Sequence, residues 1–255
     1  MLWLMEPQPE KTHVIGTWVG AREAYRSKLL RQALFDGSVV MDDVLINLHG
    51  EEHRDRRRIE NPLFRRDIQL EYEREEFPLI LHEMLAPHLE SGRCELMSFS
   101  HQIMLSLSCV NAGIDREIGN QEESNRLIEL LAEFIEGARI RHYQGDRDKK
   151  VSEIAAAVSS FENEFVRPSV ERRQAILKDG GTLPRDVLAA LVANTELSVP
   201  VMGREVAFFL TAGASTSAVA LTNTIHNLLS WLESHPEGRE RLMDDPSFVR
   251  RCILE

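Results

Sequence analysis

Apolar residues recur along this chain with the period of a helix. Phe99, Ile103, Leu107 and Val110 fall on one face, as do Leu127, Leu131, Phe134 and Ala138, and again Ile154, Val158, Phe161 and Phe165. Each set predicts an amphipathic helix with one buried stripe. Pro184, following the turn-like Asp179-Gly180-Gly181-Thr182, predicts the start of a shorter helix carrying Val187, Leu188 and Leu191. Asp245-Pro246 has the acid-then-proline order of a helix start, with Phe248, Val249, Cys252 and Ile253 on the helix that follows. No long run alternates apolar with polar in the manner of strands. The predicted fold is mainly α, with any sheet confined to the first few dozen residues. Neither repeats nor low-complexity segments interrupt the chain; residues 1–255 suffice for one large domain or two small ones, and a single domain is expected.

The longest predicted helix runs from about Val201 to Ser234, and its centre departs from the pattern. Thr211-Ala212-Gly213-Ala214-Ser215-Thr216-Ser217 sets small and hydroxyl residues where leucines ordinarily fill a core. Glycine costs a helix interior about 1 kcal/mol relative to alanine, and Ser or Thr can bond back onto the helix backbone. Such a patch serves either the close approach of a neighbouring helix or a shallow groove for a flat ligand. Composition alone favours close packing.

Bulk properties narrow the function. The 255 residues are 43% hydrophobic, enough for a substantial core. A formal net charge of −11 argues against general affinity for nucleic acid or anionic membranes. No hydrophobic stretch reads as long enough to span a bilayer, and the start Met1-Leu2-Trp3-Leu4-Met5-Glu6-Pro7 lacks the basic flank of a signal peptide. Cys94, Cys109 and Cys252 are widely separated, with no C-x-x-C pair, which suits a reduced, cytoplasmic compartment.

Two short segments carry candidate chemistry. His49-Gly50-Glu51-Glu52-His53 matches the H-x-x-E-H pattern of inverted zinc peptidases. Gly50 disfavours the required helix, however, and Arg54, Arg56, Arg57 and Arg58 crowd cations against any zinc. No metal site is assigned there. The same segment has a second reading. His53 and Arg57 are four residues apart and share a helical face, so they could together grip carboxylates of one ligand.

Gly50-Glu51-Glu52-His53-Arg54-Asp55-Arg56-Arg57-Arg58, with Asn61-Pro62-Leu63-Phe64 after it, resembles the C-helix of cytochromes P-450. Ala212-Gly213-Ala214-Ser215-Thr216-Ser217 resembles that family's I-helix signature, A-G-x-acid-T-T. The order and spacing of the two motifs fit, as does the downstream His235-Pro236-Glu237. The resemblance covers the chain from about residue 20 to its end. It implies a heme-dependent monooxygenase that inserts oxygen from O₂ into a small apolar substrate, with electrons from a ferredoxin or flavoprotein. By the same resemblance His53 and Arg57 would hold the heme propionates. Ala212 and Gly213 would admit the porphyrin and dioxygen, Thr216 with Ser215 would serve proton delivery, and Phe208 and Thr211 would face the substrate.

Two departures from the family pattern follow. Ser215 stands where the family usually has an acid, which leaves the acid–alcohol pair of the relay incomplete. Glu255 falls where the glutamate of the family's E-x-x-R motif is expected, so the chain reads as truncated there, before the iron-ligating cysteine. Phe208, Phe209 and Leu210 are then expected to stay partly exposed. The rival readings are a non-catalytic helical ligand-binding protein and, behind it, the zinc peptidase of His49, Glu52 and His53.

Overall fold

Acids, amides and hydroxyls placed ahead of the apolar stripes cap half of the helices. The computed structural model describes residues 13–35 and 37–254, which divide into two compact units on either side of Leu34. The expectations attached to Met1–Pro7 and Glu255 lie outside the described residues. The first unit contains α1 (Trp18–Arg26), opened by the Thr17 hydroxyl accepting from the Gly20 N–H.

The second unit begins at Phe35 and holds the other helices. They are α2 (Gly50–Glu60), α3 (Arg66–Glu71), α4 (Phe77–Ser91), α5 (Leu96–Ala112), α6 (Gln121–Ala138), α7 (Arg147–Phe161), α8 (Arg167–Lys178), α9 (Val187–Asn194), α10 (Val199–Ser234), α11 (Gly238–Asp244) and α12 (Pro246–Leu254). Glu95, Asn120, Asp146 and Asp186 cap α5, α6, α7 and α9 through their side-chain oxygens. Asp245 does the same for α12, accepting from the Ser247 and Phe248 N–H groups. No strand occurs among the described residues, so the fold is all-α where it is described.

Single wide turns join α3 to α4 (Tyr72–Glu76) and α7 to α8 (Glu162–Val166). Pro78 and Pro168 follow immediately. A proline has no N–H for the preceding turn and its ring crowds that turn's carbonyl; a π-type turn relieves both without ending the helix. The stripe Ile154, Phe161, Phe165 therefore stays buried across the junction. One expected boundary moves: Pro184 does not open α9. Asp186 takes the cap, accepting from the Ala189 N–H at 2.7 Å, and the helix starts at Val187.

α10 lies along α5, its most extensive partner, and also meets α6 and α9. α6 packs on α7, where Phe134 and Phe161 meet edge to face at 5.3 Å between ring centroids. Leu210 is fully buried, contrary to expectation, while Phe208 and Phe209 are partly buried against the same core. By length and composition α10 could cross a membrane, which corrects the reading that no stretch could. In this fold it packs against α5, α6, α9 and α12, and it buries a charged residue, Glu205.

Candidate functional site

α2 and α10 contribute walls to one cavity of about 840 Å³, within the range of small-molecule and cofactor sites. His53 and Arg57, one helical turn apart, line it from α2. Phe208, Phe209, Ala212 and Gly213 line it from α10. The Arg57 guanidinium lies over the Phe64 ring, 5.4 Å from its centroid, and Phe64 stacks on Phe209 at 5.9 Å. This cation–aromatic–aromatic ladder ties the basic helix to the long one.

The small-residue patch turns out to do two things. Ala212 is exposed at the cavity, leaving that wall flat. A Cβ on Gly213 would lie 3.0 Å from the Ser108 hydroxyl oxygen of α5, so this glycine also lets two helices approach. Ala212 faces a cavity and Gly213 admits close packing, on neighbouring residues.

The remaining α10 candidates stand apart. Thr216 is exposed one turn beyond Ala212 and donates its hydroxyl to the Ala212 carbonyl at 2.6 Å. Thr211 donates to the carbonyls of Ala207 and Phe208, at 2.9 and 3.1 Å. At about 100° per residue, Thr216 lies on the side of α10 that Ala212 presents, whereas Thr211 and Ser215 are turned away from its centre. Thr211, Ser215 and Thr216 are not among the residues lining the cavity.

Behind the wall sits a charged cluster for which the motifs give no warning. Glu205 of α10 is fully buried. It accepts from Arg56 at 2.5 Å and from the Leu45 backbone N–H at 3.0 and 3.1 Å. Glu60, the last residue of α2, is also fully buried, and neither of its carboxyl oxygens has a hydrogen-bond partner. Burial, followed by the neighbouring Glu205, pushes Glu60 up to about 8; burial pushes Glu205 up to about 7 against the pull of Arg56 and the Leu45 amide. Glu205 has the donors that favour a carboxylate, so Glu60 holds the proton. The available signal was the charged pair Arg204-Glu205 set between Met202-Gly203 and Val206-Ala207 on an otherwise apolar helix.

The zinc reading loses its geometry here. His49 is the N-cap residue ahead of α2, and Gly50 has a φ of +59°, so the two imidazoles do not occupy one helical turn. Among the described residues no group of three His, Cys, Asp or Glu side chains is placed to hold a metal ion. A heme suits the donor set better. One wall offers an imidazole and a guanidinium for carboxylates, and another offers a flat Ala–Gly surface among aromatic rings. Cys94, Cys109 and Cys252 are all free thiols, and none lines this cavity.

No family model and no curated protein matches the chain. Solved structures do. The crystal structure of P450BioI in complex with hexadec-9Z-enoic acid ligated acyl carrier protein aligns over 89% of this chain, with a TM-score of 0.58 and 17% identity. The crystal structure of CalO2 aligns over 88%, with a TM-score of 0.62 and 17% identity. The chain spans about half of each, 55% and 52% respectively. By these alignments the chain has about half of the cytochrome P-450 fold.

Proposed function

We propose that the chain provides one side of a heme pocket of a P-450-type monooxygenase, and that the whole enzyme oxygenates a small apolar substrate. The observation that carries this reading is the convergence of His53 and Arg57 with Ala212 and Gly213 on a single cavity. His53 and Arg57 bind the propionates by charge-assisted hydrogen bonds. Ala212 and Gly213 keep that wall low, and Phe208 and Phe209 give it an apolar, water-excluding face. When bound, the heme supplies the redox centre for activating dioxygen, with a thiolate that none of these three cysteines contributes at the cavity.

Thr216, exposed one turn beyond the cavity-lining Ala212 and itself outside the lining, is the hydroxyl we assign to proton delivery. Its present acceptor, the Ala212 carbonyl, leaves the oxygen's lone pairs open to water. Ser215 passes a proton only through water, because it has no carboxylate. In the complete enzyme, Ser215→Asp raises product formed per reduced cofactor consumed; an unchanged or lower yield removes Ser215 from the relay. Arg54 and Arg58, 63% and 77% exposed on α2 and paired with Glu51 and Asp55, would exchange those partners for an acidic ferredoxin or flavoprotein.

Hemin titration of the chain tests the cofactor assignment. Binding should be weak and should fall by about a hundredfold or more in His53→Ala/Arg57→Ala, in line with the loss of two charge-assisted bonds worth roughly 1.5–3 kcal/mol each. The reduced carbon monoxide complex should lack the red-shifted Soret band of thiolate ligation. A band at that position means one of the three cysteines ligates iron. Hemin binding indifferent to both substitutions overturns the propionate assignment.

A further inference from the structure

His53, Arg57 and Glu60 follow one another at helical spacing on one face of α2. The first two line the cavity, and the third is fully buried with neither carboxyl oxygen hydrogen-bonded. Glu205, equally buried, approaches from α10 and adds to the cost of charging Glu60. Two buried carboxyl groups with one paired guanidinium cannot both ionise cheaply, so one keeps a proton.

Three cations stand near the pair, and two are committed. Arg56 donates to Glu205 at 2.5 Å and to the Asp43 carbonyl at 3.4 Å. Arg204 donates to the Asp42 carbonyl at 2.8 Å and lies 3.9 Å from the Asp43 carboxylate. Arg57 lies over the Phe64 ring and forms no ion pair among the described residues. It is three residues from Glu60 and close enough to favour that group's ionised form. Leu45–Asn47, Asn61–Phe64 and α9, which also pack on α2, contain no titratable side chain.

We infer that Glu60 is a proton-gated positioning residue for Arg57, and so a pH-dependent regulator of the pocket. The inference rests on the reading of His53 and Arg57 as propionate ligands. With Glu60 protonated, the Arg57 guanidinium is left to a carboxylate in the cavity. Loss of that proton to solvent sets two carboxylates against Arg56 alone, and Arg57 is the uncommitted cation that can neutralise the second. Its guanidinium then turns from the cavity toward Glu60, and the ligand loses one of its two anchors. The value of about 8 at Glu60 puts this change just above neutral pH. By linkage, a ligand carboxylate that takes Arg57 favours the protonated acid, so binding at about pH 8 takes up protons.

The test is hemin affinity of the whole chain, read from the Soret absorbance between about pH 6 and about pH 9, with circular dichroism at each pH to separate lost affinity from lost fold. At about pH 6, where Glu60 is protonated, His53→Ala/Arg57→Ala must weaken binding. If it does not, the propionate reading itself fails, and this inference with it. If it does, wild-type affinity should fall by about tenfold or more toward about pH 9, the loss of one charge-assisted anchor. Glu60→Gln, which cannot ionise, should keep only the smaller decline due to His53. Should that variant not fold, Arg57→Ala carries the test, since without the guanidinium the same part of the decline should vanish although Glu60 remains. Calorimetry at about pH 8 in two buffers of different ionisation enthalpy should show proton uptake in wild type and less in Glu60→Gln. Parallel pH profiles in wild type and either variant, or proton uptake equal in wild type and Glu60→Gln, overturns the role of Glu60 while leaving the pocket reading intact.

Discussion

The two ends of α10 have similar apolar content and opposite fates. From Met202 to Ala218 the helix buries Met202, Gly203, Glu205, Val206, Ala207, Leu210, Ala214 and Ala218. From Val219 onward Leu232 is the one residue of the helix that is buried, while Val219 and Leu229 are 45% and 58% exposed. α5 runs along the middle of the helix on both sides of that boundary, with Ser108 beside Gly213 and Met97 beside Thr222, whereas Arg56 and Leu45 reach to Glu205 in the upstream half alone. The downstream half has Leu221 packed against Phe99 and Ile103 at its start, and at its end Trp231 stacks on His235 at 4.5 Å and meets Phe248 of α12 at 5.9 Å. Burial along this helix follows its neighbours and not its own hydrophobicity.

The largest expected effect comes from breaking the buried pair in the upstream half. Glu205→Ala leaves Arg56, itself 8% exposed, without its carboxylate and the Leu45 N–H without its acceptor. Removing one partner of a buried ion pair costs roughly 3–5 kcal/mol, against a typical total stability of about 5–15 kcal/mol. Leu229→Ala, in the exposed half, should stay within about 0.5 kcal/mol of wild type. Urea unfolding of both variants measures the contrast directly. Equal losses would mean that the two halves are equally anchored.

The second effect is smaller and depends on pH. Glu60 and Glu205 have folded-state values of about 8 and about 7, above their ordinary value of 4.5. Groups raised in this way stabilise the fold fully below that ordinary value, and the contribution is lost as pH rises through the folded values. The chain should therefore lose stability between about pH 5 and about pH 8 through this cluster. Arg56 and Arg57 of α2 and Arg204 of α10 are the cations near the pair. Glu60→Gln keeps the shape of the protonated acid and removes its titration, so its unfolding midpoint should fall less than that of wild type between about pH 6 and about pH 9. Parallel pH profiles would show that Glu60 is not the proton holder.

The difference between the halves also marks what the sequence could reveal. Stripes such as Leu127, Leu131, Phe134 and Ala138 are local and periodic, and they became α6 as expected. The cavity walls were legible for a related reason: His53 with Arg57, and Ala212 with Gly213, each sit within one turn of one helix. The Glu60–Glu205–Arg56 cluster was not legible, because nothing local to α2 says that Glu60 will face α10. Asp186 hid as well: Pro184 is the stronger start signal, but Asp186 is committed to both the α9 cap and Arg173. A sequence pattern reports which face of a helix is apolar; which helix covers it is decided by contacts distant in sequence.

The smallest expected effect tests the residue at which the two uses of the α10 patch meet. Alanine at position 213 would gain roughly 1 kcal/mol of helix propensity over glycine. Its Cβ would also lie 3.0 Å from the Ser108 oxygen and 3.8 Å from the Ser108 Cβ. The first distance is tight and the second is ordinary contact, so the opposing term belongs to one rotatable hydroxyl. Gly213→Ala alone should therefore change stability by no more than about 0.5 kcal/mol, because the gain and the crowding offset each other. In a Ser108→Ala background the crowding atom is gone, and the same substitution should stabilise by about 0.5–1 kcal/mol. That difference between backgrounds, measured as a double-mutant cycle in urea, reports the coupling of α10 to α5 at this point. If Gly213→Ala acts identically in both backgrounds, the glycine is not there for Ser108, and its smallness serves the cavity alone.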